Sequence, residues 1–153
     1  MEIVIRQATA EDAESVHKIV LSALLETNAR DYPQSVIERL VLTLPDKVAS
    51  NLQTWCAFVA IANGRVVGTG SLNGNTVTSV YVHPDYQGRG IATKLMDAVE
   101  NAANTQAQRT LSVQSSVTAK MFYAKRGFKL VREGSFGEEP TILMSKDIPG
   151  TSE

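Results

Sequence analysis

The chain has 153 residues, of which 43% are hydrophobic and 20% charged, and its formal net charge is -1. That balance describes one folded domain long enough to bury a core, and it excludes a disordered chain or a protein drawn to polyanions by its overall field. The only cysteine, Cys56, excludes an intrachain disulfide, and no apolar run approaches the ~20 residues of a membrane span, so a reducing, cytoplasmic setting is expected.

In chain order, Ile3 to Arg6 reads as a short first strand. Thr9 and Asp12 have capping-box spacing, and Val16, Ile19, Val20, Ala23 and Leu24 then form a helical stripe, which predicts a helix from Ala10 to Leu25. His17 falls off that stripe and reads as a surface residue. After the polar stretch Thr27 to Tyr32, Pro33 and Pro45 each open a predicted short helix, the first burying Val36, Ile37 and Leu40 and the second Val48 and Leu52. Trp55 to Ala62 and Arg65 to Leu72 are strands joined by Asn63-Gly64, a two-residue turn signal, and Cys56 within the first reads as a buried structural thiol. Asn73-Gly74-Asn75 leads to a third strand, Thr76 to Val82, so three consecutive strands form an antiparallel meander.

Pro84 stops that strand, and the loop Gln87-Gly88-Arg89-Gly90-Ile91-Ala92 follows. Ile91, Leu95, Val99 and Ala103 recur every fourth residue, so the glycines lie at the N-terminus of an amphipathic helix that runs towards Gln106. The first N–H groups of a helix lack intrahelical acceptors and carry the positive end of its dipole. Glycines there let the backbone approach a bulky anion, so the expected guest is a phosphate or pyrophosphate. The spacing is neither that of a P-loop nor that of a dinucleotide fingerprint, whose third glycine position is occupied by Thr93. Further on, Thr110 to Gln114 is a strand and Thr118 to Lys125 a short helix closed by Gly127. Phe128 to Arg132 and Thr141 to Ser145 are the last strands, Gly134 to Pro140 a hairpin-like connection, and Pro149 to Glu153 a flexible tail.

The segment Gln87 to Ala92, preceded by Val-Tyr-Val-His-Pro, resembles the acyl-coenzyme A loop of the GCN5-related N-acetyltransferase (GNAT) superfamily: Gln or Arg, two residues, Gly, one residue, Gly or Ala. Ser116, Ala119, Phe122, Tyr123, Gly127 and Phe128 resemble the superfamily's second signature, and the order of elements from Ile3 to Ser145 is also similar. Read without the resemblance, Ser116 is a helix cap, Gly127 a terminating glycine, and Tyr123 equally a core residue or a functional one.

The resemblance implies an α+β (mixed α/β) fold over residues 1–148, a single domain in which a mostly antiparallel twisted sheet of about seven strands is flanked by about four to five helices. It implies acetyl-CoA as acyl donor, no metal, and transfer to a primary amine of a small molecule or protein. By the same resemblance the coenzyme is held by Val80, Tyr81, Val82, Gln87, Gly88, Arg89, Gly90, Ile91, Ala92, Thr93, Ser116 and Tyr123, with Lys94 near its phosphates and Tyr123 as hydrogen-bond donor to the leaving sulfur. A bulge near Val80 to Val82, and divergence from the next strand, would make room for pantetheine. With ordinary pKa values of about 10 for Tyr and about 8.5 for a thiol, full proton transfer is uphill by roughly 2 kcal/mol, so a hydrogen bond is the economical role. A lysine-like amine needs about 4 to 5 kcal/mol to reach its neutral form at neutral pH. Thr76 to Val82 offers no carboxylate for that step, leaving Glu26, a water chain or His83 as candidate bases, although His83, directly before Pro84, reads rather as a structural or phosphate-facing residue. Glu26, Asn28, Tyr32 and Glu38 are candidates for acceptor contacts, each also readable as a solvated or capping residue. The alternatives are a non-catalytic acyl-CoA-binding module and a tRNA-modifying acetyltransferase, the latter disfavoured by the near-neutral charge; a homodimer stays open.

Overall fold

The computed structural model describes residues 2–26, 33–115, 119–136 and 139–148. The proposed tail 149–153 and the candidates Asn28, Tyr32 and Ser116 lie outside these residues. Seven strands form one sheet in the order β1-β2-β3-β4-β5-β7-β6: β1 (Ile3–Gln7), β2 (Cys56–Ala62), β3 (Arg65–Asn73), β4 (Thr76–Val82), β5 (Thr110–Ser115), β6 (Lys129–Phe136) and β7 (Glu139–Asp147). Among the described residues only β4 and β5 run parallel, as the strand-helix-strand passage between them requires.

Helix α1 (Ala13–Glu26) follows a single 3-10 turn, Ala10–Asp12, and buries Val16, Ile19, Val20 and Ala23, the stripe seen in the sequence. His17 is partly buried rather than a surface residue. The Asp12 carboxylate accepts the Thr9 backbone N–H at 2.7 Å, the capping contact expected from the spacing, and also accepts both terminal nitrogens of Arg6 at 2.9 Å. The Arg6 bonds come first among the causes that hold Asp12 at a pKa of about 2, and burial opposes them. Because this folded value lies below the ordinary one, the contribution is fully present above about pH 4 and is lost as pH falls through about 2. Asp12→Asn should cost about 1 to 2 kcal/mol at neutral pH, discounted because Arg6 is partly exposed, and the cost should vanish near pH 2. Urea denaturation at the two pH values checks this, and a cost that persists in acid would assign the effect to packing instead.

The two short helices expected after Pro33 are one helix, α2 (Gln34–Thr54), with Pro45 inside it. Ile37, Val48 and Leu52 are spaced by whole turns; Ile37 and Val48 are buried, and Val48 and Leu52 pack with Val59 of the sheet, so packing on both sides of Pro45 keeps the helix continuous. Pro45 lies on the exposed side, where water can serve the carbonyl that loses its donor. The final hairpin also corrects the sequence reading. The ladder between β6 and β7 continues to Phe136 and Glu139, through the stretch read as a connection, because backbone pairing needs no apolar alternation.

Helices α1 and α2 cover one face of the sheet, where Val16, Val20, Val48 and Val59 pack together. Helix α3 (Ile91–Thr105) and the short α4 (Lys120–Lys125) cover the other. There Met96, Val99 and Ala103 meet Leu72, Val77, Leu111, Val113 and Met144. Helix α3 can come this close because β3 has Gly68 and Gly70 beneath it: a Cβ at Gly68 would lie 3.1 Å from Leu95 Cδ1 and 3.2 Å from the Tyr81 carbonyl oxygen. Gly68→Val should therefore destabilise the fold by about 1 to 3 kcal/mol, read as a lower urea midpoint at unchanged slope. A midpoint equal to that of the unaltered protein would show that α3 can lift without cost. Cys56 is partly buried, not fully as expected; it packs against the α3-side core, and burial raises its thiol pKa, which suits a structural rather than a nucleophilic thiol.

Candidate active site

Two strands part at the centre of the sheet. The ladder between β4 and β5 consists of Thr76 opposite Ser112 and Val77 opposite Val113, after which β5 continues to pair with β7 and β4 with β3 only. The Thr76 and Ser112 hydroxyls sit 3.3 Å apart at the closed end. Between Thr69 and Ser71 the register against β4 shifts, so β4 carries one more residue than β3 in this stretch. That bulge restores Val80 and Val82 to the α3 face alongside Val77, while Tyr81 packs on the α1/α2 face. The expected bulge and divergence are therefore both present, with the bulge at Ser79 and Val80, at the start of the expected stretch.

Thr78 is the first β4 residue past the parting, and its buried hydroxyl oxygen has no hydrogen-bond partner among the described residues. A buried polar atom without a partner is costly and calls for a ligand or water. The alternating strand pattern contains no signal for this role, since threonine is an ordinary strand residue.

Beyond the wedge, His83 caps the 3-10 turn Pro84–Tyr86, its Nδ1 accepting the Asp85 N–H at 3.0 Å. Its ring meets Tyr86 edge-on at 5.9 Å, and the Arg89 guanidinium stands over the Tyr86 ring at 5.3 Å. The Gln87 amide nitrogen lies 3.5 Å from the Val82 carbonyl oxygen and so holds the loop to the strand end. Gly88 and Gly90 have φ of 77° and 79°, in the left-handed region, and a Cβ on either would meet no protein atom within 4 Å. Gly90 is the N-cap of α3, its carbonyl accepting the Lys94 N–H at 3.1 Å. Ile91 is buried in the core, so its backbone alone faces the loop; Ala92 is partly buried, and Thr93 and Lys94 are exposed. The left-handed glycines, the free space over them and the helix N-terminus fit a pyrophosphate.

Tyr123, on α4, is only 5% exposed. Its ring lies edge-on to Phe122 at 5.3 Å and to Phe128 at 5.5 Å, and its carbonyl accepts the N–H groups of Arg126 and Phe128. Burial foremost, with a contribution from the Tyr81 phenol, pushes its pKa well above the ordinary tyrosine value. Tyr123 therefore keeps its proton at any working pH and is suited to donate a hydrogen bond, not to act as base. The other candidates are less engaged. Glu38 is exposed and accepts from Gln34 one turn earlier at 3.1 Å, and Glu26 is the last residue of α1. Among the described residues no group of three or more His, Cys, Asp or Glu could hold a metal ion, and no helix is long and apolar enough to cross a membrane.

The pattern of the Acetyltransferase (GNAT) domain matches residues 29–144. The chain is 26% identical over 131 residues to the uncharacterized N-acetyltransferase YafP of Escherichia coli, covering 86% of this chain and 84% of that protein. A GCN5-related N-acetyltransferase of Rhodopseudomonas palustris superposes with a TM-score of 0.89 at 28% identity, covering 97% of each chain. The PaiA N-acetyltransferase of Thermoplasma acidophilum, solved in complex with coenzyme A, superposes with a TM-score of 0.83 at 20% identity over 97% of this chain and 100% of its own. The chain belongs to the GNAT acetyltransferase family, and several of its structural neighbours are solved with coenzyme A or acetyl-CoA bound.

Proposed function

We propose that this protein is an acetyl-CoA-dependent N-acetyltransferase that transfers an acetyl group to a primary amine of a small molecule or protein by direct attack on the thioester. The observation that carries this reading is the parting of β4 from β5 at Val77, followed in the same chain direction by the left-handed glycines at the head of α3. Gly88 and Gly90, with the first N–H groups of α3, would receive the pyrophosphate, and Arg89 and Lys94 would add positive charge. The backbone of Val80, Tyr81 and Val82 would meet the pantetheine arm and the thioester carbonyl, and Thr78 would gain the partner it lacks among the described residues.

The coenzyme supplies a thioester whose carbonyl carbon gains the amine nitrogen and loses its sulfur. Tyr123 would donate its hydroxyl hydrogen to that sulfur as negative charge develops there. Its raised pKa makes complete transfer of the proton more unfavourable than for an ordinary tyrosine, which favours a hydrogen bond strongest in the transition state. The proton released by the amine must leave by another group. His83 accepts the Asp85 N–H at Nδ1, so in its neutral form the ring proton sits on Nε2 and the lone pair that could take a proton is already engaged; this favours a structural role for His83 and leaves the proton to water or an acceptor-side group. A cytoplasmic setting suits the single free thiol, Cys56.

Calorimetric titration with acetyl-CoA, with ATP as control, followed by thiol release across a panel of amines tests the assignment. The expected result is saturable binding of acetyl-CoA, little binding of ATP, and amine-dependent thiol release. Binding without release from any amine would leave a coenzyme-binding module, and no binding would remove the site altogether.

A further inference from the structure

One charged cluster lies away from the wedge and plays no part in the chemistry above. Glu100 projects from the middle of α3 and accepts from two cations at once. Its Oε2 is 2.9 Å from Arg126 Nε and 2.8 Å from an Arg126 terminal nitrogen, and its Oε1 is 2.7 Å from Lys146 Nζ. The same terminal nitrogen of Arg126 reaches Asp97 Oδ1 at 3.0 Å. The side chains of Glu100 and Arg126 are each 16% exposed and that of Lys146 is 22% exposed, so these bonds are much less screened than ordinary surface pairs. A planar guanidinium making several bonds to two carboxylates also fixes orientation, which a point charge does not.

Both cations lead to Tyr123. Arg126 ends α4, and its backbone N–H donates to the Tyr123 carbonyl at 3.0 Å. Lys146, on β7, stands 5.8 Å over the ring of Phe128, and Phe128 lies edge-on against the Tyr123 ring and donates its own N–H to the same carbonyl at 3.1 Å. Gly127, between them, has φ of 99° and only Lys146 methylenes near its Cβ position, so the turn that ends α4 is shaped around the lysine. Helix α4 spans only Lys120–Lys125, too short to hold its own geometry without such external fixing. We infer that Glu100 is a positioning residue for Tyr123: through Arg126 it fixes the end of α4, and through Lys146 and Phe128 it fixes the tyrosine ring, referencing both to α3, the helix whose N-terminus faces the coenzyme phosphates. The inference rests on the role of Tyr123 proposed above. It explains a two-cation carboxylate that contacts neither the wedge nor the loop.

The test needs no acceptor. Protein carrying a carbon-13 label at tyrosine Cζ shows signals from four tyrosines, and the one lost in Tyr123→Phe is assigned to Tyr123. Saturating coenzyme A should shift that signal in the unaltered protein. In Glu100→Gln the shift should fall by about half or more, while the calorimetric affinity for coenzyme A stays within about twofold, because a loosened supporting shell misplaces the phenol without touching the phosphate loop. Arg126→Lys, which keeps the charge and loses the planar fork, should lose part of the shift and carries the test should Glu100→Gln fail to fold. A full shift in both variants overturns the inference and leaves the reading of Tyr123 intact. A Tyr123 signal that ignores coenzyme A in the unaltered protein overturns that reading, and with it any positioning role for Glu100.

Discussion

Tyr123→Phe is expected to lower kcat about 10- to 100-fold while the dissociation constant of acetyl-CoA changes by less than about twofold, because a hydrogen bond to a developing thiolate is worth about 1.5 to 3 kcal/mol in the transition state. The substitution leaves the ring in place between Phe122 and Phe128, so packing is preserved and only the donor is removed. The pH dependence distinguishes this role from others. A phenol whose pKa is raised keeps its proton beyond the ordinary tyrosine range, so activity should show no alkaline decline from Tyr123 below about pH 10. Thiol release measured against pH for both proteins checks this. Equal turnover in the two would remove Tyr123 from the chemistry and return it to the core, where its burial alone would place it.

Gly90→Val should weaken coenzyme A binding by at least about tenfold. Two effects combine: a left-handed residue with a Cβ costs roughly 1 to 2 kcal/mol, more when β-branched, and the side chain enters the space through which a phosphate would reach the helix N-terminus. Gly74 separates them. It has φ of 63° and equally open surroundings, but lies in the turn before β4, at the far end of the strand from the loop. Gly74→Val should therefore lose similar stability and bind coenzyme A normally. Equal loss of binding in both variants would mean that strain, not the ligand path, explains the effect, and unchanged affinity in Gly90→Val would remove the loop from the site.

The regular elements were legible because they follow local rules. The α1 stripe, the Asn63-Gly64 hairpin and the four-residue period of α3 each have one solution that buries their apolar residues, and the described structure has it. The loop was legible for the same reason, since glycines just before an amphipathic helix mark an N-terminus that needs left-handed backbone. Local signals mislead at Pro45, where a proline cue outweighs the apolar positions on either side of it, Val36 and Ile37 before and Val48 and Leu52 after, and at residues 134–136 and 139–140, where strands form without apolar alternation.

What needed the tertiary structure involves partners distant in sequence. No local pattern states that β7 inserts between β5 and β6, or that β4 parts from β5 after two residue pairs. The orphaned Thr78 hydroxyl, the two contacts of Asp12 and the Glu100 clamp each depend on where another segment comes to rest. Local pattern is enough for most of the elements, the family resemblance and the glycine loop at the head of α3, because side-chain period and glycine placement act within a few residues. Only the folded sheet decided where a wedge opens and how firmly Tyr123 is held, because strand divergence and burial are properties of packing among segments far apart in the chain.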